Sequence, residues 1–374
     1  MLKANSNIRC RSFTALLGFL LVLLFSACCL QVPVPDSGHQ QISAPASGFN
    51  RLFERRGDGW TGGDGTVSVL LPDGRTVWLF GDTLLGSVSA DDTRPVDTPF
   101  VRNSLMVQNG ALMETRLRFA GEEPAAFFAP SSADQWFWPG HGIVDGDQLG
   151  IFLHRFELTG SGLWDWRWVG NDLASVSLPS LALTGIQPAP SENGIMYGVC
   201  LLKADAYVYI YGTADRNHPK EAHLARAPAG RIHGPWSYFS GSSWSDQPTA
   251  SRSILDGVST QYSVIQAGRY FYLFTMDGRT AFSNIIVVYR AAEPHGPWQG
   301  PLTVYQAPET NTRVAAYNPF AHPQFSEDNH LLLSYNLNHI SDPNALYRDA
   351  SIYRPRFIRV DLSEVDRRFD TDRK

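Results

Sequence analysis

The chain has 374 residues, 43% of them hydrophobic and only 18% charged, with a formal net charge of -5 at pH 7. That much apolar material with so little charge excludes a disordered polymer, and no run of Lys or Arg follows the first dozen residues, which excludes a nucleic-acid partner. The counts of Gly 32, Pro 24, Trp 10, Tyr 14 and Phe 21 favour short strands and tight turns over long helices.

Lys3, Arg9 and Arg11 precede an uncharged stretch, Phe13 to Ala27, that is too short to span a bilayer stably and has the length of an export-signal core. Ser26-Ala27-Cys28 ends it with small residues before a cysteine, resembling a bacterial lipobox and predicting a lipid anchor at Cys28, with Phe25 departing from the usual Leu. The expected location is therefore the cell envelope or the medium, with the membrane touched only through the anchor. Residues 28–48 are rich in Pro, Ser and Gln and read as a flexible tether. With Cys10 removed and Cys28 acylated, only Cys29 and Cys200 remain, so no disulfide framework is available. Cys200 sits in an apolar run and reads as a small core residue.

From Phe49 onward one pattern recurs five times at intervals of about 60 residues, the mark of a repeat architecture. A polar turn leads into alternating aromatic and aliphatic residues at 74–82, 147–155, 205–213, 268–277 and 329–338. A shorter apolar strand precedes each, at 66–71, 142–145, 198–203, 262–266 and 320–326. A second repeat overlaps the first: His223-Leu-Ala-Arg-Ala-Pro leading to His233-Gly-Pro-Trp is echoed by Val287-Val-Tyr-Arg-Ala-Ala leading to His295-Gly-Pro-Trp. A hairpin, a third strand and a Gly-Pro-Trp turn into a fourth make a four-stranded blade. Five such blades predict an all-β, five-bladed β-propeller over residues 49–374, expected as a monomer, because ring closure leaves only short strand edges. The strand at 351–362 is expected to close the ring against the blade that begins near Phe49, and residues 84–139 read as an insertion at the rim.

In such a ring the starts of the innermost strands converge on one funnel. Those positions carry Asp64, Trp138 and His141, Tyr197 with Glu192 and Asn193 just upstream, Gln261 with Tyr262, and Asn318 with His322. With Arg102 and Asn103 added as ligand contacts, the set is polar and aromatic, which suits a carbohydrate polymer or oligosaccharide better than an apolar or phosphorylated ligand. Glycoside cleavage needs two carboxyl groups flanking the bond. Asp64, set between glycines, is the candidate base, and Asp82 either joins it or caps a turn. Glu192 and Asp215 are the candidate acids, each equally readable as a solvated loop carboxylate. His141 and His322 either orient a carboxylate, ligate an ion or serve as structural histidines. The run Trp164-Asp165-Trp166-Arg167-Trp168 is either a sugar platform or packing between blades. No phosphate-binding loop, zinc motif or nucleophile elbow occurs. The chemistry requires no cofactor, and a central calcium ion stays open.

Gly62-Gly63-Asp64-Gly65, Trp78-Leu-Phe-Gly-Asp82-Thr, Arg102-Asn103-Ser104, Trp138-Pro-Gly-His141-Gly and Tyr317-Asn318-Pro319 to His322 together resemble bacterial secreted proteins grouped as domain of unknown function 4185. The likeness spans about residues 50 to 362. It implies a propeller similar to the family 43 glycoside hydrolases, action by some members on arabinofuranoside polymers, and an aspartate base that matches Asp64. It also implies an acid from a middle blade, where Gln261 stands in place of a carboxylate. Carbohydrate binding without turnover and a protein-interaction propeller are the alternatives.

Overall fold

The computed structural model describes residues 41–216 and 218–371. The expected export segment at 1–27 and the acylation site Cys28 lie outside these residues. The chain is all-β. Five antiparallel sheets of four or more strands follow one another. The first joins Val67–Leu70, Thr76–Phe80, Ser104–Asn109 and Leu112–Arg116, and the second joins Gln135–Asp145, Gln148–Leu158, Trp166–Ser177 and Leu183–Ala189. The third is built on Met196–Ala204, Tyr207–Ala214 and Lys220–Pro228, and the fourth on Ser263–Ala267, Tyr270–Met276, Ile285–Ala291 and Gln299–Gln306. The fifth joins Val314–Glu327, His330–His339, Arg356–Asp361 and Ser43–Pro45. The five hairpins read from the sequence are the first two strands of these sheets.

Two boundaries differ from expectation. Residues 41–48 are not tether: Ser43–Pro45 pairs with Arg356–Asp361, and Asp361 N donates to Ile42 O at 2.9 Å. Polar, Pro-containing sequence is tolerated there because this is a sheet edge. The late strand thus closes the fifth sheet, between His330–His339 and the N-terminal strand. Residues 84–139, in turn, are more than a rim insertion, since they supply the third and fourth strands of the first sheet.

The first strand of each sheet contacts the first strand of the next, and that of the fifth returns to that of the first. Polar side chains stitch every junction. His141 Nδ1 accepts from Leu201 N at 2.9 Å and its ring also bonds the Ser68 backbone, so one imidazole ties the first three sheets. Cys200 Sγ accepts from Val264 N at 3.2 Å, Ser263 Oγ from Ala321 N at 2.9 Å, and Asn336 Nδ2 donates to Thr66 Oγ1 at 2.9 Å. His322 lies between Ser68 Oγ (2.6 Å) and Ser334 Oγ (2.9 Å), while the Phe320 ring packs edge-on against His141. Burial holds His141 at about 4 and His322 at about 3, so both are neutral groups bridging neighbouring sheets. Cys200 is a buried thiol pushed up to about 12 by desolvation, as its apolar run implied.

Apolar clusters fill the space between neighbouring sheets. The junction of fifth and first sheets centres on Trp78, which is fully buried and contacts Phe49, Phe53, Phe325, Phe357 and His322. Its indole N–H donates to Gln108 Oε1 at 2.8 Å. Trp78→Ala is expected to cost about 3–5 kcal/mol by chemical denaturation, the usual range for emptying a fully packed aromatic site; a loss below 1 kcal/mol would show that the junction collapses to fill the hole.

Candidate functional site

Three of the five first strands carry a β-bulge at the same level, between Pro139 and Gly142, Tyr197 and Cys200, and Tyr317 and Phe320. A bulge leaves residues unpaired and re-aims their side chains, which is why bulges gather beside functional sites. Asn318, inside the last, takes a left-handed φ of 49°, which Asn tolerates better than most residues. In the first sheet the ladder breaks at the same level. Gly63 pairs with Thr83 and Val67 with Leu79, leaving residues 64–66 facing 80–82 in an irregular stretch. Gly65 has φ +64° there, and Gly81 N donates to Asp64 O at 2.8 Å.

This break brings Asp64 and Asp82 together. Tyr317 Oη donates to Asp64 Oδ2 at 2.9 Å, and Tyr353 also bonds that carboxylate. Asp82 Oδ1 accepts from Trp138 Nε1 at 2.8 Å, and Arg102 Nη1 lies 3.2 Å from its Oδ2. Burial, then the negative charge of Asp82, push Asp64 up to about 7 against the two phenol donors. Asp82 is also raised by burial, but Arg102 and Trp138 favour its charged form. The pair therefore divides its roles: Asp82 carries the negative charge and Asp64 exchanges its proton near neutrality.

Gly81 permits the arrangement, because a Cβ there would sit 2.7 Å from Asp64 Oδ1 and 3.3 Å from Trp138 Cδ1. Gly81→Ala is expected to displace the Asp64 carboxylate and so to lower roughly 10²-fold any turnover that depends on it, the scale of a small misplacement of a reacting group. Far-ultraviolet circular dichroism should stay unchanged; undiminished turnover would show that the carboxylate has room to shift.

Aromatic surface leads outward from Asp82. Trp138 packs on Trp166 at 5.1 Å, Trp166 on Trp164 at 6.3 Å, and Trp164 is 60% exposed. Arg102 lies over the Trp136 ring at 4.4 Å. Gln261 joins from the fourth sheet, its Oε1 buried near Gly65 without a hydrogen-bond partner.

The remaining predicted residues lie elsewhere. Glu192 is exposed on the wall of a cavity of about 750 Å³ on the third sheet, and Asp215 is exposed and held by Lys220 Nζ at 2.6 Å. Asn103, Tyr197, Tyr262 and His322, expected to bind ligand, are instead interior residues with satisfied side chains. Asn103 bridges Phe128 O and Phe137 O, Tyr262 donates to Gly212 O at 2.8 Å, and Tyr197 donates to Ser251 Oγ at 3.2 Å. Their polar atoms hold bulges and loops in place, because a buried donor must find a partner. His141 is likewise spent on the sheet junctions. Tyr353 was not foreseen, nor were Glu221 and His223 on the cavity wall; Tyr317 was visible within its motif, whereas Tyr353 sits in a short 3-10 turn with no signature. No group of three or more His, Cys, Asp or Glu among the described residues could hold a metal ion.

A candidate hydrolase from Bacteroides ovatus superposes with a TM-score of 0.73 at 22% identity, covering 87% of this chain and 92% of that one, and so shares the fold. Looser superpositions are found with the alpha-L-arabinofuranosidase PaAbf62A from Podospora anserina (TM-score 0.48, 8% identity, 81% of this chain and 92% of that one). The GH43_1 enzyme from Xanthomonas citri gives a TM-score of 0.47 at 14% identity, over 85% of this chain and 90% of that one. No curated protein sequence matches the chain. The family model that does match, over residues 47–363, is not that of the 4185 group suggested by the short motifs. The chain belongs to the family described as Domain of unknown function (DUF5005).

Proposed function

We propose that the protein is a glycoside hydrolase built on a five-bladed β-propeller, each sheet forming one blade. The observation that carries this reading is the Asp64–Asp82 pair: one carboxyl raised to about 7 beside a second, charged one that is ion-paired with Arg102. A general base works best when its pKa lies near the operating pH. In the proposed mechanism ionised Asp64 takes a proton from the water that attacks the anomeric carbon. Asp82 holds its charge throughout and keeps Asp64 basic. The leaving oxygen must be protonated by an acid outside the Asp64–Asp82 cluster; of the two candidates Asp215 is already engaged by Lys220, and Glu192 takes this role only on a glycan that reaches from Asp64 to the third-sheet cavity. Trp138, Trp166 and Trp164 offer rings on which sugar faces stack. Export and acylation at Cys28 complete the proposal, placing the enzyme where polysaccharide is met.

The test is incubation with arabinan, arabinogalactan and other neutral polysaccharides. Reducing ends should be released, with kcat/KM rising about tenfold per pH unit up to near 7, since the base must be ionised. No release from any of them overturns the hydrolase reading. Retardation of the protein in a gel by a polysaccharide that it does not cleave would point to the binding-only reading, which the occupied carboxylate of Asp215 favours.

A further inference from the structure

The cavity on the third sheet holds a directional chain of hydrogen bonds that ends without a partner. Pro248 O can only accept, so the Asn193 group 2.9 Å from it is the amide NH₂, which also donates to Tyr197 Oη at 3.3 Å. Tyr197 in turn donates to Ser251 Oγ at 3.2 Å. Ser251 Oγ lies 2.9 Å from His223 Nδ1, and assigning the Ser251 proton to that nitrogen gives it an acceptor. Burial disfavours the charged imidazolium, so the ring is neutral and its remaining proton sits on Nε2. His223 is 5% exposed, and Nε2 makes no close hydrogen bond: what it faces is the Glu221 carboxylate at 3.5 Å, whose charge partly offsets the effect of burial on the ring. At the other end of the chain Asn193 Oδ1 is buried and unpartnered.

The cavity wall therefore holds a donor that faces only the Glu221 carboxylate at 3.5 Å and an acceptor with no partner, and a buried polar atom left unpaired is costly. A hydroxyl group donates and accepts at once, so vicinal hydroxyls satisfy both. The charges on the wall, Arg216 and Arg252 against Glu192 and Glu221, balance and give no preference to an ionic ligand. The volume of about 750 Å³ falls in the range of small-ligand sites. We infer that this cavity is a binding site for a neutral sugar residue, recognised through His223 Nε2–H and Asn193 Oδ1, with Glu221 moving aside to accept from the same hydroxyl. This rests on the carbohydrate part of the reading above and not on turnover at Asp64.

The test uses the full chain carrying Asp64→Asn, so that nothing is consumed, on an array of neutral and uronate-containing oligosaccharides, followed by calorimetric titration of the strongest neutral ligand. Adding His223→Phe should weaken binding at least tenfold. Glu221→Ala, at a half-exposed position that leaves the fold intact, should weaken it several-fold with an unchanged melting temperature. Undiminished affinity in both variants, preference for uronates, or no bound neutral glycan overturns the inference. Binding lost in both variants while the wild type cleaves no glycan would sink the hydrolase reading and leave this site standing.

Discussion

Asp64→Asn is expected to remove the proposed glycan cleavage and at the same time to make the protein more stable in mild alkali. The activity loss is expected at about 10³-fold, the usual worth of a positioned acid or base. The stability gain follows from linkage. Asp64 titrates near 7 when folded against an ordinary 3.8, so the folded state binds the extra proton between those values. Stability is therefore fully present below about pH 3.8 and is lost as pH rises through 7. Above that, the native state carries a desolvated carboxylate beside the charge of Asp82. Asparagine is never charged and still accepts from Tyr317 and Tyr353, so at pH 8 it should raise unfolding free energy by on the order of 2–4 kcal/mol, and by almost nothing at pH 4. Urea unfolding at the two pH values measures this. Equal effects at both would mean that Asp64 is an ordinary solvated carboxylate, and retained turnover would remove it from the mechanism.

Mild acid should destabilise the protein through its buried histidines. His141 and His154 titrate near 4 and His322 near 3, all depressed by burial below the ordinary 6.5. For a depressed histidine the unfolded state binds the proton first, so stability falls as pH drops below 6.5. At pH 5 each contributes a loss of about 2 kcal/mol. Asp64 opposes this, returning roughly 2–3 kcal/mol as it is protonated between pH 7 and 5. The net loss is on the order of 3 kcal/mol, a large part of the stability of a typical domain. The two effects can be separated: in Asp64→Asn the compensation is gone, and the decline from pH 7 to 5 should steepen to about 6 kcal/mol. A flat profile in that variant would show that these imidazoles reach water in the native state.

Both effects follow from the way the ring is assembled. His141, His154 and His322 bond across sheet junctions and carry out no step of the proposed chemistry. At the neighbouring level, bulges and the break at Asp64 bring the Asp64 and Asp82 carboxyls together with Tyr317, Trp138 and Arg102. A ring held by neutral imidazoles, with a poised carboxyl above them, resists unfolding best near neutrality, which is also where Asp64 is suited to act.

Much of this was legible in the residues themselves. Alternation of apolar and polar side chains is a local property, so the five hairpins and their near-constant spacing could be read directly. Asp64, Asp82 and Trp138 could be picked out too, because glycines and aromatics mark a break in a strand, and Arg102 through the motif that carries the family resemblance. The strand Ser43–Pro45 could not be recognised, since its partners are more than 300 residues away and its polar sequence resembles a linker. Nor could sequence separate Asn103, Tyr197 and Tyr262, which spend their polar atoms inside, from Trp138 and Arg102, which spend theirs on Asp82. Burial and partner choice depend on which chains meet across a junction, and only the folded ring settles that. The orphaned Oδ1 of Asn193 belongs to the same class, for a missing partner is a property of three-dimensional surroundings and leaves no trace along the chain.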